Sequence, residues 1–587
     1  MSKEIKESKE IEIRRHSLAH ILAYAVLEMF PDTKFGIGPA IENGFYYDFD
    51  LTRSLTPEDL KTITKRMQEI IKKDLPFEEF HRKISDAVAL ENKNDQPYKK
   101  ELIEDLEKKG EKEVCFYKIG NFEDLCAGPH VESTGKVGAF KLMSVAGAYW
   151  KGSEKNPMLQ RVYAVAFPTK EELENHLKML EEAKKRDHRK LGKELELFVF
   201  SELVGPGLPL YTPRGTTVIK EMQKFSMEVR VKSGFQEVHT QVMNKAELFK
   251  TSGHYDKYEE DMFKVHSHYT KEEYFLKPMN CPQHTQIYAS QIRSYKDLPY
   301  RVADHSMIYR DEKLGEVAGL TRVRGFIMDD GHSFCREDQI EIEFKTTLQG
   351  IREVLDIYGM DFYVRFSTRD PENKAGYLGD DKIWERAEST LEKILKDLDI
   401  SYVIGIGDAA FYGPKMDIIA KDALEREHQI STIQLDFNMP NRFGLTYVGE
   451  DGKEYPPIMI HSALIGSVER FLGVLIEHYA GAFPTWLAPV QVKILTIADR
   501  HNDYAQIVAA KFAENSVRVE IDNRTETIGK KIREAEMQKN PYMLIVGDKE
   551  IEENKVAVRR YGKGDLGSKS VEELIKEIRE EIRERRR

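Results

Sequence analysis

The spacing of apolar residues changes several times along the chain. In RRHSLAHILAYAVLEMF, residues 14–30, it is helical, which predicts a helix with His16 and His20, four apart, on one face. In PTKEELENHLKMLEEAKKRDHRKLGKELELF, residues 168–198, the pattern predicts a charged amphipathic helix that connects two domains. Beyond it the period shortens: DFYVRFS, SYVIGIG and STIQLDF are β-rich runs set between helical stretches, as in a mixed domain with a largely antiparallel sheet. After Pro484 and Pro489, VQVKILTI, VRVEID and PYMLIVG alternate with helical patterns, as in a small α/β domain, and the tail KSVEELIKEIREEIRERRR is predicted to be a helix with Arg at its C-terminal end.

The expected organisation is an α+β multidomain chain: 1–155, a helical linker 156–197, a long block 198–488 and a C-terminal domain 489–587. A length of 587 residues requires several cores. With 41% apolar and 32% charged residues the composition is that of a soluble protein. No apolar run approaches the roughly 18 residues of a membrane helix, and MSKEIKESKEIEIRR lacks the apolar core of a secretory signal. A cytoplasmic location and no membrane partner are expected.

The net charge of −11 gives no global sign of nucleic-acid binding, but residues 491–587 hold 21 Lys and Arg against 19 Asp and Glu. That end is the least repelled by phosphate. The four cysteines, at 115, 126, 281 and 335, do not amount to a disulfide framework.

Two constellations carry candidate chemistry. His16 and His20, with Cys126 and His130 about a hundred residues later, are the usual makings of a zinc site. Cys281 in KPMNCPQH, His332 in MDDGH and His461 in PIMIHSALIG are a second set, one thiolate and two imidazoles that leave a fourth tetrahedral position open. Around it, MIYRDEKLGEVAGLTRVRGFIMDDGHSF reads as two strands joined by a loop, with Arg310, Arg322 and Arg324 suited to phosphates. IHSALIGSVERFLGVLIEHY reads as a strand end, a Gly turn and a helix carrying Arg470 near its start. Arginines converging on an antiparallel sheet with no Gly-rich P-loop point to nucleotide handling by another fold; taken singly, each has an ordinary structural alternative.

These stretches resemble motifs 2 and 3 of the class II aminoacyl-tRNA synthetases. Together KPMNCPQH, MDDGH, AFYGPKMDI, TIQLDF and PIMIHSALIGSVERF resemble the threonyl-tRNA synthetase family of bacterial type, from about residue 12 to the C-terminus. The resemblance implies an editing domain, then a class II catalytic domain built on an antiparallel sheet, then an α/β anticodon-binding domain. It implies ATP-dependent attachment of L-threonine to threonine tRNA through threonyl-adenylate, an AMP-forming ligation with Mg²⁺ accompanying ATP. Cys281, His332 and His461 would hold one Zn²⁺ that takes the amino and hydroxyl groups of threonine. A metal that needs the hydroxyl as ligand rejects valine, which an apolar pocket separates poorly from threonine.

By the same resemblance Asp330 would anchor the ammonium group with Tyr412 nearby. Arg310 would meet the α-phosphate and Arg470 the γ-phosphate, while Arg322, Lys415 and Gln434 line the pocket. Serine lacks only a methyl, worth roughly 1–3 kcal/mol, so a second sieve is expected. His16, His20, Cys126 and His130, with Lys99 and Asp124, match the family's editing residues, understood to hydrolyse seryl-tRNA through positioned water, with a zinc there as the alternative. Glu550 and Arg559 match positions that read anticodon bases. A homodimer is expected, with residues 215–243 as the interface helix and strand, although the apolar face of that stretch would equally suit a core within the chain.

Met328 stands where relatives often have Gln, Gln283 where Gly is common, Ser462 where Arg is common, and Thr525 where Asn is expected. Bacterial relatives mostly begin with a further ubiquitin-like domain, whereas only about ten residues precede the match here. Two other readings remain: a synthetase-like RNA-binding or regulatory protein that lost its chemistry, and a prolyl- or seryl-type class IIa enzyme.

Overall fold

The computed structural model describes residues 3–587. The chain divides after Glu182 into two compact units. In the first, helix α1 (Lys3–Met29) buries Leu18, Ile21, Leu22, Ala25 and Val26 on one broad face, the helical pattern that the sequence carries. They pack with Phe45, Tyr47 and Phe49 of a sheet ordered Lys34–Phe35, Gly44–Asp50, Met158–Phe167, Ala139–Tyr149. The strand Met158–Phe167 is hydrogen-bonded on both sides within this sheet, so residues 156–167, expected in the linker, belong to the first domain.

A second, three-stranded antiparallel sheet joins β1 (Glu78–Lys83), β2 (Glu113–Ile119) and β3 (Phe122–Leu125). Its period of two turns Phe80, Phe116 and Leu125 toward Ile84, Ala87 and Ile103. Tyr117 and Asp124, directly paired, therefore share the opposite face.

The predicted single linker helix is two helices, Lys170–Arg186 and α2 (His188–Glu194). Asp187 leaves helical geometry and its side chain accepts from the Arg189 N–H at 2.8 Å, so an internal N-cap ends one helix and starts the next.

In the second unit, α3 (Pro213–Lys232) starts at a Thr212 cap with Pro at its first position. Further along come α4 (Cys281–Ala289), β4 (Tyr300–Tyr309), β5 (Gly325–Cys335), β6 (Lys415–Lys421), β7 (Glu427–Asp436), β8 (Ile458–Ala463) and α5 (Val468–His478). The eight-stranded sheet runs Gln236–Glu237, β4, β5, β8, β7, β6, Phe362–Thr368, Tyr402–Ile406. It is antiparallel except at its two outermost pairs. Ile351, Leu391, Ile433, Leu472 and Leu475 are among the residues of its main core.

The C-terminal sheet is ordered Val519–Asp522, Val492–Thr496, Tyr542–Val546, Lys555–Arg560, Gly564–Ser570. Its first three strands are parallel and the rest antiparallel, and the tail helix Val571–Arg583 packs Leu574 and Ile578 into its core. No described helix is long and apolar enough to cross a membrane.

Candidate active sites

Adjacent strands β5 and β8 pair His332 directly with His461. The first residue of α4, Cys281, is buried beside them, and one ligand atom from each of the three lies within 4.8 Å of the others. His332 Nε2 is 3.0 Å from His461 Nδ1. Their remaining ring nitrogens are engaged: His332 Nδ1 lies 2.6 Å from His284 Nδ1, and His461 Nε2 donates to Asp436 Oδ2 at 3.0 Å. Imidazoles whose outer nitrogens are fixed by a carboxylate or another ring are oriented as metal ligands usually are, so the donor set fits a zinc ion.

Burial pushes the Cys281 thiol up and holds His332 well below the ordinary imidazole range. The neutral imidazole of His332 suits a metal, which would itself have to draw the thiol proton off Cys281.

The threonine candidates adjoin this cluster. Asp330 carries a carboxyl that burial pushes up to about 6, and its Oδ1 is 3.7 Å from His332 Nε2. Tyr412 stacks on His461 at 4.5 Å and donates its hydroxyl to Gln434 Oε1. Gln434 is the cross-strand partner of both His461 and Lys415. Lys415 itself binds Asp417 at 2.7 Å.

A cavity of about 270 Å³ opens on the same sheet, lined among others by Arg310, Arg322, Met328, Gln434 and Arg470. Among the described residues neither Arg310 nor Arg470 has a carboxylate partner. Burial depresses both guanidiniums, and Arg310 and Arg322 depress Arg470 further. Arg310 and Arg470, two cations without carboxylate partners on one cavity wall, suit an anion, which would relieve the repulsion on Arg470. Arg322 meanwhile holds Glu312 at 2.8 Å and also pairs with Glu316. Arg324 is turned elsewhere, to Asp311 and the face of Phe263.

In the first unit, α1 supplies His16 and His20, and the segment after β3 supplies Cys126 and His130. The Cys126 sulfur is 3.3 Å from both His16 Nε2 and His130 Nε2. His130 Nδ1 is 3.1 Å from Ser17 Oγ, and Phe77 stacks on its ring. Burial lowers all three imidazoles and pushes the Cys126 thiol up to about 12. The site thus presents neutral rings and an intact thiol, which can orient water and pass protons, whereas a nucleophilic cysteine requires a thiolate. Among the described residues His20 Nδ1 is buried without a hydrogen-bond partner, and one ligand atom from each of His16, His20, Cys126 and His130 lies within 4.8 Å of the others, so the same set could hold a metal ion. Lys99 Nζ meets Asp124 Oδ1 at 2.6 Å, both nearly fully buried, and Tyr47 donates to the other carboxylate oxygen.

At the C-terminal end, Glu550 accepts from the Gly547 N–H at 3.0 Å and Arg559 lies 3.9 Å from Glu536. Thr525 is exposed in the loop before the helix Ile528–Met537.

Sequence reasoning overlooked His284, Asp436, Arg230 and His188. His284 lies one helical turn after Cys281, a spacing that could have revealed it; Asp436 and Arg230 arrive from other elements. Arg230 fills the space beside Ser462: its NH1 and NH2 reach Ser462 Oγ at 3.2 Å and the Ser462 carbonyl at 3.0 Å. Gln283 accepts from buried Lys277 at 3.4 Å and donates to Asn244 at 2.6 Å.

Residues 263–479 match the family described as tRNA synthetase class II core domain (G, H, P, S and T), residues 491–581 an anticodon binding domain, and residues 114–163 the threonyl and alanyl tRNA synthetase second additional domain. The chain is 49% identical to the threonine--tRNA ligase of Clostridium tetani, over 99% of this chain and 91% of the relative. It is 48% identical to that of Carboxydothermus hydrogenoformans, over 98% and 89%. Among solved structures it is similar to the RNA binding domain of threonyl-tRNA synthetase from Cryptosporidium parvum (TM-score 0.64, 37% identity, 67% of this chain and 98% of that one). The putative threonyl-tRNA synthetase ThrRS-1 of Aeropyrum pernix follows with TM-score 0.60 at 28% identity, covering 68% and 96%.

Proposed function

The chain belongs to the threonyl-tRNA synthetases, and from that premise we propose that Cys281, His332 and His461 hold a zinc ion that selects threonine, and that His16, His20, Cys126 and His130 form the editing site. The enzyme is a threonine--tRNA ligase, attaching threonine to its tRNA at the expense of ATP, with Mg²⁺ accompanying the nucleotide. The zinc reading is carried by one observation: the outer ring nitrogens of His332 and His461 are held by His284 and Asp436 while their inner ones converge with the thiol of Cys281.

When bound there, zinc would supply Lewis-acid coordination for the amino and hydroxyl groups of threonine, a requirement valine cannot meet. Asp330 would pair with the ammonium group, and Tyr412 would shape the wall beside it. Arg310 and Arg470 would bind the α- and γ-phosphates, drawing the triphosphate across the cavity so that the threonine carboxylate can attack the α-phosphorus. Their positive charge would offset the negative charge that builds as pyrophosphate leaves. Lys415, Gln434 and Arg322 would line this pocket, Glu550 and Arg559 would meet the anticodon, and exposed Val231 and Met243 support a homodimer through residues 215–243. The proposed division remains editing domain, linker, catalytic block and anticodon domain, with the linker beginning after the strand that ends at Phe167.

For editing, the neutral imidazoles and the protonated thiol support hydrolysis of seryl-tRNA by water held among His16, His20 and His130. A zinc ion held by the same four residues is the alternative.

Pyrophosphate exchange with threonine, serine and valine, together with zinc content, tests the selection mechanism in wild type and Cys281→Ala. Activation of threonine and serine but not valine, and joint loss of zinc and activity in the variant, are expected; a zinc-free wild type with full activity overturns it.

A further inference from the structure

His188, the first residue of α2, is buried and bonded on both sides. Its Nδ1 lies 2.6 Å from Glu477 Oε1, which also accepts from the His188 main-chain N–H at 3.0 Å. On the other side of the ring, the Leu320 N–H donates to His188 Nε2 at 3.0 Å. Burial works against a charge on Glu477, but its hydrogen bonds from His188 and the charge of Arg426 hold the carboxyl below its ordinary value. An ionised carboxylate only accepts, so Nδ1 carries the ring proton. Nε2 is then left with the lone pair that the Leu320 N–H needs, and both neighbours fix the same tautomer.

Leu320 lies in the loop between β4 and β5. Gly319 before it has φ +50°, and a Cβ there would stand 2.3 Å from His188 Nε2, so the backbone can approach the ring only through glycine. Thr321 after it accepts from Arg470 Nε at 3.2 Å, and Arg322 follows. Glu477 and Arg470 share α5, about two turns apart.

We infer that His188 is a positioning residue for ATP: through the Leu320 N–H it fixes the loop whose Thr321 carbonyl and Arg322 shape the phosphate wall, registering that loop against the helix that bears Arg470. The inference rests on the reading of the Arg310–Arg470 cavity as the ATP site. His188 does not line that cavity, so its effect is on where the arginines stand.

The test is ATP-dependent pyrophosphate exchange by the full chain with His188→Gln, His188→Asn and His188→Ala. A Gln amide oxygen can reach the place of Nε2 and accept from Leu320; an Asn amide can donate to Glu477 but falls short of Leu320. His188→Asn and His188→Ala are expected to raise the KM for ATP about tenfold or more, with kcat within about threefold, and His188→Gln to restore most of it. The KM for threonine and the zinc content should stay at wild-type values. If His188→Ala fails to fold, the comparison of Gln with Asn decides alone.

Equal effects of Gln and Asn, or a loss that falls on threonine KM, overturn the inference. Arg470→Ala separates its failure from that of the ATP reading. If that variant activates threonine at the wild-type ATP dependence, the cavity reading falls and the inference with it; if it is impaired while all three His188 variants are normal, only the inference falls.

Discussion

His332 and His461 are cross-strand partners whose facing nitrogens, Nε2 and Nδ1, are 3.0 Å apart. A sheet holds such a pair at fixed spacing, because register sets which residues oppose each other and a one-residue slip would turn one ring to the far side. The remaining freedom, rotation about the side-chain bonds, is removed by Asp436 on the third strand and His284 on α4.

Asp436→Asn isolates that outer support. The carboxylate has two duties: Oδ1 accepts from the main-chain N–H groups of Asn438 and Met439, and Oδ2 accepts from His461. Asparagine keeps the first and replaces the second by an amide nitrogen that cannot accept. Zinc affinity in chelator competition is expected to fall about 10- to 100-fold, and threonine activation to fall with it at limiting zinc. Unchanged zinc affinity would remove the case for His461 as a ligand held from behind.

Lys99→Met addresses the editing reading. Lys99 and Asp124 form a buried ion pair at 2.6 Å, and removing the cation leaves an uncompensated carboxylate, which costs about 3–5 kcal/mol. Hydrolysis of seryl-tRNA is expected to drop at least about tenfold, while threonine-dependent pyrophosphate exchange holds its wild-type rate. The assay that decides is deacylation of preformed seryl-tRNA; equal losses in both activities would argue that the substitution unfolds the chain broadly.

How far the site could be read from sequence depended on the reach of each signal. The helix at 14–30 and the strands around the second histidine set were legible because apolar period is local. The ligands themselves, Cys281, His332 and His461, lie too far apart for spacing to join them, and family resemblance rather than periodicity grouped them. Their supports escaped both routes: Asp436 and Arg230 act from separate elements, through a strand pairing and a helix packing that no local pattern encodes. The single linker helix was misread because Asp187 is unremarkable within a charged helical pattern, and its capping role shows only once the Arg189 N–H reaches its side chain.

Glu469 supplies a pH dependence. Its carboxyl is almost fully buried, accepts from the Ile327 N–H at 2.9 Å, and is pushed up to about 8 by desolvation. Unfolding returns it to an ordinary value near 4.5, so between those limits the folded chain binds more protons than the unfolded one. The contribution is therefore fully present below about pH 4.5 and is lost as pH rises through about 8. Glu469→Gln keeps an oxygen for Ile327 and does not titrate. Melting curves at pH 5 and pH 8 are expected to show the wild type losing stability relative to this variant; parallel curves would mean that the carboxyl is already ionised in the folded state.

The departure at Ser462 makes the sharpest test of how the sheet is supported. Arg230 Nε donates to Asp329 Oδ1 at 2.8 Å, and Asp329 Oδ2 accepts from the N–H groups of Leu464 and Ile465 at 2.8 Å each, just beyond the strand that carries His461. The guanidinium beside this carboxylate comes from α3, whereas the resemblance leads to the expectation of an arginine at position 462 itself. Arg230→Leu should cost about 3–5 kcal/mol, because Asp329 loses its cation in the interior. Ser462→Arg alone should also destabilise, since the guanidinium of Arg230 fills the space and two buried cations would compete for one carboxylate. The double variant Arg230→Leu/Ser462→Arg returns one cation to one anion, so its loss in urea denaturation should be smaller than the sum of the single losses by more than about 1 kcal/mol. Strict additivity would mean that the two positions do not share a site, and that the serine is tolerated for a reason unconnected with Arg230.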